Sequence, residues 1–415
     1  MFKKDLHNRI YYYLFVLLAF SIPMHKKFTV LVILLIGINW LLEFNFIEKY
    51  MKVRESRVRR NTLLFAMLYL LFAIGMLYTN NFTGPSGGWF KLEVKFSLLV
   101  FPLLFSTIDY QWLDRKYVQR LFNFFIIGTI ISCLLCIGNA LIIYMGDYRF
   151  EAFYYKELSM FHHPSYMAMY ITFAVLIILY NILNKWKAYG IGWKISWLIL
   201  LVFYNVFIIT LASKAGIISL GLVYGIAITY AIARKKYSLS GIFGFFLITL
   251  VCLYMFFPYS YKRMTVARAS VEQENLDNNS TEGSVIRILI WRSSLEIVKD
   301  NFLFGVGTGD VEDALVQKYE EKGITMAAEQ KLNAHNQYLQ TWLAIGIPGL
   351  LTLLLMLVLP AWQAFRRYNL VYFLFLFIIA FNFIFESMLE AQSGVVFYAF
   401  FNVFLFVTKD LMGES

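Results

Sequence analysis

Leu121–Tyr144 reads LFNFFIIGTIISCLLCIGNALIIY, a run with no Lys, Arg, Asp or Glu in it. A helix of that length rises about 36 Å at 1.5 Å per residue, enough to cross ~30 Å of hydrocarbon. An open strand could not serve, because a bilayer offers no partners for its backbone N–H and C=O groups. Comparable apolar runs recur from one end of the chain to the other. Hydrophobic residues make up 60% of 415 positions and charged residues 15%, where a soluble domain carries about 25% charged. The chain therefore reads as an all-α membrane protein.

Working outward from that run, the sequence predicts about twelve spans, at 10–24, 28–46, 62–78, 94–108, 121–144, 165–183, 195–212, 214–233, 240–257, 337–360, 369–387 and 391–408. The first follows Lys3, Lys4 and Arg9 as a signal peptide would. No small-residue cleavage site follows it, so an uncleaved first helix is expected. The net charge of +11 does not point to nucleic acid, because the cations punctuate the apolar runs instead of forming one patch. Assigning the connecting segments alternately puts 21 Lys/Arg on the side of the N-terminus and 7 in short loops on the other side. The long loop holds the remaining 9 of 37. The positive-inside rule then places both termini in the cytoplasm. The chain divides into residues 1–257 with nine spans, a polar loop at 258–336 on the outer face, and residues 337–415 with three more spans.

Within that loop, Gln273–Gly283 reads as polar and flexible. Ser284–Asp300 reads as an amphipathic helix with Ile288, Trp291, Leu295, Val298 and Phe302 near one face. A second short helix is expected at Asp310–Glu321, capped by Asp310 and stopped by Gly323. The three cysteines, Cys133, Cys136 and Cys252, fall inside apolar runs and read as packing residues, with no soft ligands nearby in sequence.

Few residues are equipped for chemistry. His335 stands where the loop becomes membrane helix, in His335-Asn336-Gln337-Tyr338-Leu339-Gln340. The positive end of that helix disfavours an extra proton, which suits a general base, although a capping role would also explain it. Arg287 precedes Trp291 by one turn on the same helix side, and its planar fork fits phosphate oxygens. A snorkelling surface cation is the plainer account of it. Gly305-Val306-Gly307-Thr308-Gly309-Asp310 has the look of a phosphate cradle but follows no strand, so a tight turn between helices is the better reading. Lys214 lies at the outer mouth between two spans, where a cation must snorkel, pair or bind an anionic group. His162, His163 and Pro164 open another span, and capping and packing are favoured there over metal binding. Glu386 and Glu390 flank the last outer turn and could pair with a cation or touch a sugar, though an interfacial place is the plainer reading.

Taken together, Arg287-x-x-x-Trp291, Phe304–Gly309, His335–Leu339 and Gly346-x-x-Gly349 resemble, in order and spacing, the O-antigen ligase and polymerase family of membrane glycosyltransferases. The resemblance is specific over roughly Ser213–Leu350. It implies a glycosyltransferase-C-like fold in a bacterial inner membrane. The donor it implies is an undecaprenyl-diphosphate-linked glycan, and the acceptor lipid A–core or another glycan, with no cofactor and no metal. It assigns His335 to catalysis and Arg287 to the diphosphate, with Lys214 beside it and Asn336, Trp291 and His163 as candidate substrate contacts. The family carries an arginine where this chain has Lys214, which keeps the charge and loses the bidentate fork. Polymerase activity is the alternative to ligase. A transporter, the third class, would show inverted repeats or polar breaks at mid-membrane, and neither is evident in the sequence.

Overall fold

The computed structural model describes residues 2–110, 112–257, 277, 278, 280 and 282–412. Every regular element in them is helical. The membrane part comprises α1 (Phe2–Ser21), α2 (Lys26–Leu42), α3 (Phe46–Glu55), α4 (Arg57–Tyr78), α5 (Gly88–Lys95), α6 (Ser97–Thr107), α7 (Arg115–Asp147), α8 (Pro164–Lys185), α9 (Ile191–Thr210), α10 (Lys214–Ala233) and α11 (Tyr237–Phe256). The loop holds α12 (Gly283–Asp300) and α13 (Val311–Glu321), and α14 (Gln337–Arg366), α15 (Leu370–Phe385) and α16 (Gln392–Val407) complete the bundle.

A helix stands at each of the twelve expected spans, but seven of the described helices are long and apolar enough to cross a membrane on those grounds alone: α4, α7, α8, α9, α10, α11 and α14. An eighth would be α2 with α3, bent by 100° at their junction. α15 and α16 are shorter, at 16 residues each, or about 24 Å of rise. α1 opens with charged residues, and α6 has 11 residues. The sequence reading began α1 later than the helix does, joined the end of α5 to α6, and carried the last two spans one or two residues past their ends.

The interior of the bundle is α8, α15 and α16. α8 is buried over nine-tenths of its apolar stretch, whereas α9 and α11 are buried over less than a third and stand at the periphery. Phe173 of α8 meets Phe375 of α15 at 5.1 Å and Phe401 of α16 at 4.8 Å between ring centres, and Phe125 of α7 meets Phe401 at 5.0 Å. Such offset and edge-on pairs each add about 0.5–1.5 kcal/mol beyond area burial. Buried polar groups tie the outer helices together: the Tyr224 hydroxyl donates to Asn205 Oδ1, and the Asn205 amide donates to the Phe246 carbonyl. Cys133 and Cys136 are buried in this packing, and Cys252 is exposed.

The connections gather at two ends of the bundle. At one end, cations decorate the helix termini: Arg59 donates to the Ser106 and Ile108 carbonyls, Lys185 to Gln119, and Lys236 to the Leu183 carbonyl. At the other end the loop helices gather with the turns after α1, α4, α9 and α15.

One spanning helix is broken, which the sequence reading did not anticipate. In α14, Ile345 (φ −136°, ψ 21°) and Gly346 (φ 66°, ψ −163°) leave helical geometry. The glycine-rich turn fills the gap. Val306 and Gly307 amides donate to the Leu343 and Ala344 carbonyls (2.7 and 3.1 Å), and the Ile347 amide donates to the Phe302 carbonyl (3.1 Å). Backbone groups freed by the break are thus satisfied inside the protein, as buried backbone requires. A Cβ on Gly346 would sit 2.1 Å from the Leu303 oxygen, and one on Gly305 2.4 Å from the Leu343 oxygen. The Gly305–Gly309 and Gly346–Gly349 motifs are therefore two halves of one joint.

α12 forms where expected and buries Val298 and part of Trp291 as read, but its buried face is turned from the rest of the expected one. Ile286, Leu289, Ile290, Ser293 and Ile297 point inward, while Leu295 and Phe302 are exposed. Ser293 and Ser294 are fully covered; their small side chains let α12 lie close against its neighbours, and a hydropathy count passes over them. α13 ends before Gly323, whose φ is +67°, as expected. Most of Gln273–Gly283, including 273–276, lies outside the described residues.

Candidate active site

The site grows from the turn between α15 and α16. Glu386 stands just past the last residue of α15, with its side chain 9% exposed. His335, 51 residues earlier, points Nδ1 at Glu386 Oε1 at 2.9 Å. A carboxylate can only accept, so Nδ1 carries the proton and Nε2 is left as the basic nitrogen. Arg287 Nη2 lies 3.7 Å from Glu386 Oε2, a contact of charges too long for a hydrogen bond. Among the described residues no hydrogen bond reaches that buried Oε2.

The segment carrying His335 is fixed on both sides. His335 itself has φ +43°, a left-handed conformation uncommon for a side-chain-bearing residue. Its amide donates to Asn333 Oδ1 at 2.9 Å. Trp291, one turn from Arg287 on α12, donates from Nε1 to the Ala334 carbonyl at 3.0 Å, and the Ala334 amide donates to Gln340 Oε1 at 3.1 Å. The Asn336 amide donates to Ser387 Oγ (3.2 Å), and the Leu389 amide to Gln337 Oε1 (2.6 Å). α12, the end of the loop and the α15–α16 turn are thus tied into one rigid unit.

Each candidate residue has a definite place. Asn336, and not His335, caps α14: its Oδ1 accepts from the Leu339 amide at 3.0 Å. Trp291 holds the backbone next to His335. His163 caps α8 through Nδ1 and the Ser165 amide (3.4 Å). Burial lowers its pKa, with the charges of Lys156, Arg287 and His335 adding to that and Glu386 opposing it, so His163 belongs to the same electrostatic neighbourhood. Its neighbour His162 is a packing residue. Nδ1 meets Ser393 Oγ at 2.9 Å, Nε2 meets the Met24 carbonyl at 2.6 Å, and burial takes its pKa down to about 4.

Lys214 is engaged one helical turn away. Its ammonium reaches Glu282 Oε1 at 3.1 Å and Ser284 Oγ at 2.8 Å. Ser284 precedes Arg287 by three residues on α12, so the two cations follow one another along a single helix face. Burial raises the Glu282 pKa, but Lys214 and the Ser284 and Val285 amides outweigh that and hold it below the usual range. The same carboxylate caps α12.

The glycine turn is no anion cradle. The amides of Gly305, Val306, Gly307 and Gly309 go to the Asn301, Leu343 and Ala344 carbonyls and to Thr79 Oγ1. Asp310 accepts from the Asn80 and Asn81 amides at 2.8 and 2.7 Å instead of capping α13, and so anchors the turn after α4.

Two acids that read from the sequence as interfacial hold cations in the structure. Glu386 is the hub of the site, and Glu390, four residues on, binds Lys95 at 2.7 Å and Lys91 at 3.3 Å. Burial pushes the Glu390 pKa up, yet the two ammonium groups bring it down to about 2. The available signal was the cost of acids beside an apolar run, which requires partners; which partners they are is a long-range matter. Among the described residues no three His, Cys, Asp or Glu side chains converge to hold a metal ion.

Residues 198–354 match the family model described as O-Antigen ligase. That segment takes in α10, α12, the glycine turn, His335 and the break at Gly346, and over it the resemblance to the O-antigen ligase family is borne out. Among curated proteins, one from Haemophilus influenzae (strain ATCC 51907 / DSM 11121 / KW20 / Rd), described as "Uncharacterized protein", is 23% identical over 108 residues. The match spans 26% of this chain and 27% of that relative's length.

Proposed function

Taking the O-antigen ligase match over residues 198–354 as premise, we propose that the protein transfers a glycan from undecaprenyl diphosphate to an acceptor hydroxyl at the outer face of a bacterial inner membrane. The acceptor is lipid A–core or a similar glycan. This reading takes the chain to cross the membrane about twelve times, with both termini cytoplasmic and residues 258–336 outside. One observation carries it: a single buried carboxylate, Glu386, faces an imidazole at 2.9 Å and a guanidinium at 3.7 Å.

The chemistry balances without an outside energy source. The acceptor oxygen attacks the anomeric carbon, and the bond from that carbon to the diphosphate oxygen breaks. His335 Nε2 takes the hydroxyl proton, and Glu386 stabilises the imidazolium that forms. Arg287, with Lys214 behind it, stabilises charge developing on the departing diphosphate. Attack opposite the leaving group inverts the anomeric centre. Trp291 and Asn336 act as positioning residues, through the Ala334 carbonyl and the cap of α14.

The test is incubation of the purified protein with lipid-linked oligosaccharide and a lipid A–core acceptor. A single shift of the acceptor on a gel is the predicted product. A ladder of repeats on the carrier would mean polymerase instead. Translocation of the donor with no new glycosidic bond would refute the transferase reading.

A further inference from the structure

A groove of about 740 Å³ opens at the end of the bundle opposite Glu386, within the size range of sites for small ligands. It lies between the C-terminal ends of α10 and α14 and the start of α15. Ile226, Tyr230, Phe365, Tyr368 and Phe373 supply apolar and aromatic walls, and Arg234 stands at the rim. The Arg234 guanidinium lies 5.4 Å from the Tyr230 ring and 5.9 Å from the Tyr368 ring. Phe365 and Tyr368 are 60% and 66% exposed, and Leu355, Val358 and Leu359 continue an exposed apolar surface along α14 toward the groove. A soluble ligand would have to cross that surface, whereas a lipid would already be beside it.

Among the described residues, Arg234 is the one charged side chain in the lining of the groove. No Asp or Glu lines it. Arg366 follows Phe365 in the chain, and Arg367, next to it, pairs with Asp410. Aromatic rings with cations at helix ends mark the level of lipid headgroups, and basic pockets between helices recognise anionic headgroups. We propose that this groove binds an anionic glycerophospholipid of the bilayer. Its phosphate meets Arg234 at the rim, and an alkyl chain runs between Ile226, Phe365 and Phe373. The site is independent of the transfer chemistry at the other end of the bundle.

Native mass spectrometry of the detergent-purified full chain, titrated with phosphatidylglycerol or phosphatidylethanolamine, tests this. At least a tenfold preference for phosphatidylglycerol is expected. Arg234→Gln should reduce phosphatidylglycerol retention about tenfold, and Ala233→Trp, which fills the groove while keeping the charge, should do the same. Lys235→Gln, a neighbour outside the lining, should leave retention unchanged. Equal retention of the two lipids by the unaltered protein would overturn the proposal. So would full retention by both the Arg234 and Ala233 variants, or a loss in Lys235→Gln as large as that in Arg234→Gln.

Discussion

Glu386→Gln keeps the shape of the side chain and removes its charge. In the structure that charge stands 2.9 Å from His335 Nδ1 and 3.7 Å from Arg287 Nη2. Two unit charges 3.7 Å apart interact by about 4.5 kcal/mol at an effective dielectric of 20. Arg287 is 28% exposed, so solvent screening takes that figure down. A hydrogen bond to a charged group contributes about 1.5–3 kcal/mol net. The imidazolium forms only as the acceptor loses its proton, so the loss falls on the transition state and not on donor binding. A loss of about 2–4 kcal/mol lowers kcat roughly 30- to 900-fold, with KM for the donor little changed. The assay is transfer of lipid-linked oligosaccharide to acceptor by purified variants, with thermal unfolding in detergent showing that the fold persists. A folded Glu386→Gln protein whose kcat stays within about threefold of the unaltered enzyme would refute the role given to this carboxylate.

Trp291→Phe removes the donor to the Ala334 carbonyl and should lower kcat about tenfold through a looser His335; unchanged kcat would reduce Trp291 to packing. Gly346→Ala forces a side chain into a glycine-only conformation against the Leu303 oxygen, a strain of at least about 1–3 kcal/mol, seen as a lower Tm; an unchanged Tm would contradict the joint between α14 and the glycine turn. Lys95→Met leaves buried Glu390 with Lys91 alone and should destabilise by about 3–5 kcal/mol, while Lys95→Met with Glu390→Leu should recover most of that; additive losses would show that the pair is not coupled. Glu390 has a folded pKa of about 2, below its ordinary 4.5, so the stability it contributes is present above pH 4.5 and is lost as pH falls toward 2. Tm should drop across that interval, and Glu390→Gln should flatten the drop.

The sequence carried the site only as far as local chemistry reaches. His335 and Arg287 stand out because polar residues are scarce in such a chain and these two sit in its one long polar stretch. Their meeting point was not legible: Glu386 is 51 residues from His335 and lies beside an apolar run that reads as membrane. The same locality explains why the face of α12 was only partly read, since covered Ser293 and Ser294 carry no hydrophobic signal. It also explains the unexpected break in α14. Gly346 and Pro348 hint at irregularity, but the segment that fills the gap, Phe302–Gly307, is remote in the chain and appears only in three dimensions. Helix ends were legible only to within a few residues. Helix length is set by where tertiary packing ends a helix, and α15 and α16 can be short because other helices surround them.

The most direct measurement is single-turnover transfer by His335→Gln against the unaltered protein, with donor binding followed in parallel. The account predicts a rate of glycosidic bond formation lower by about 10²-fold or more, with the donor held as tightly as before. A variant that forms the bond at a rate within twofold of the unaltered protein would contradict it.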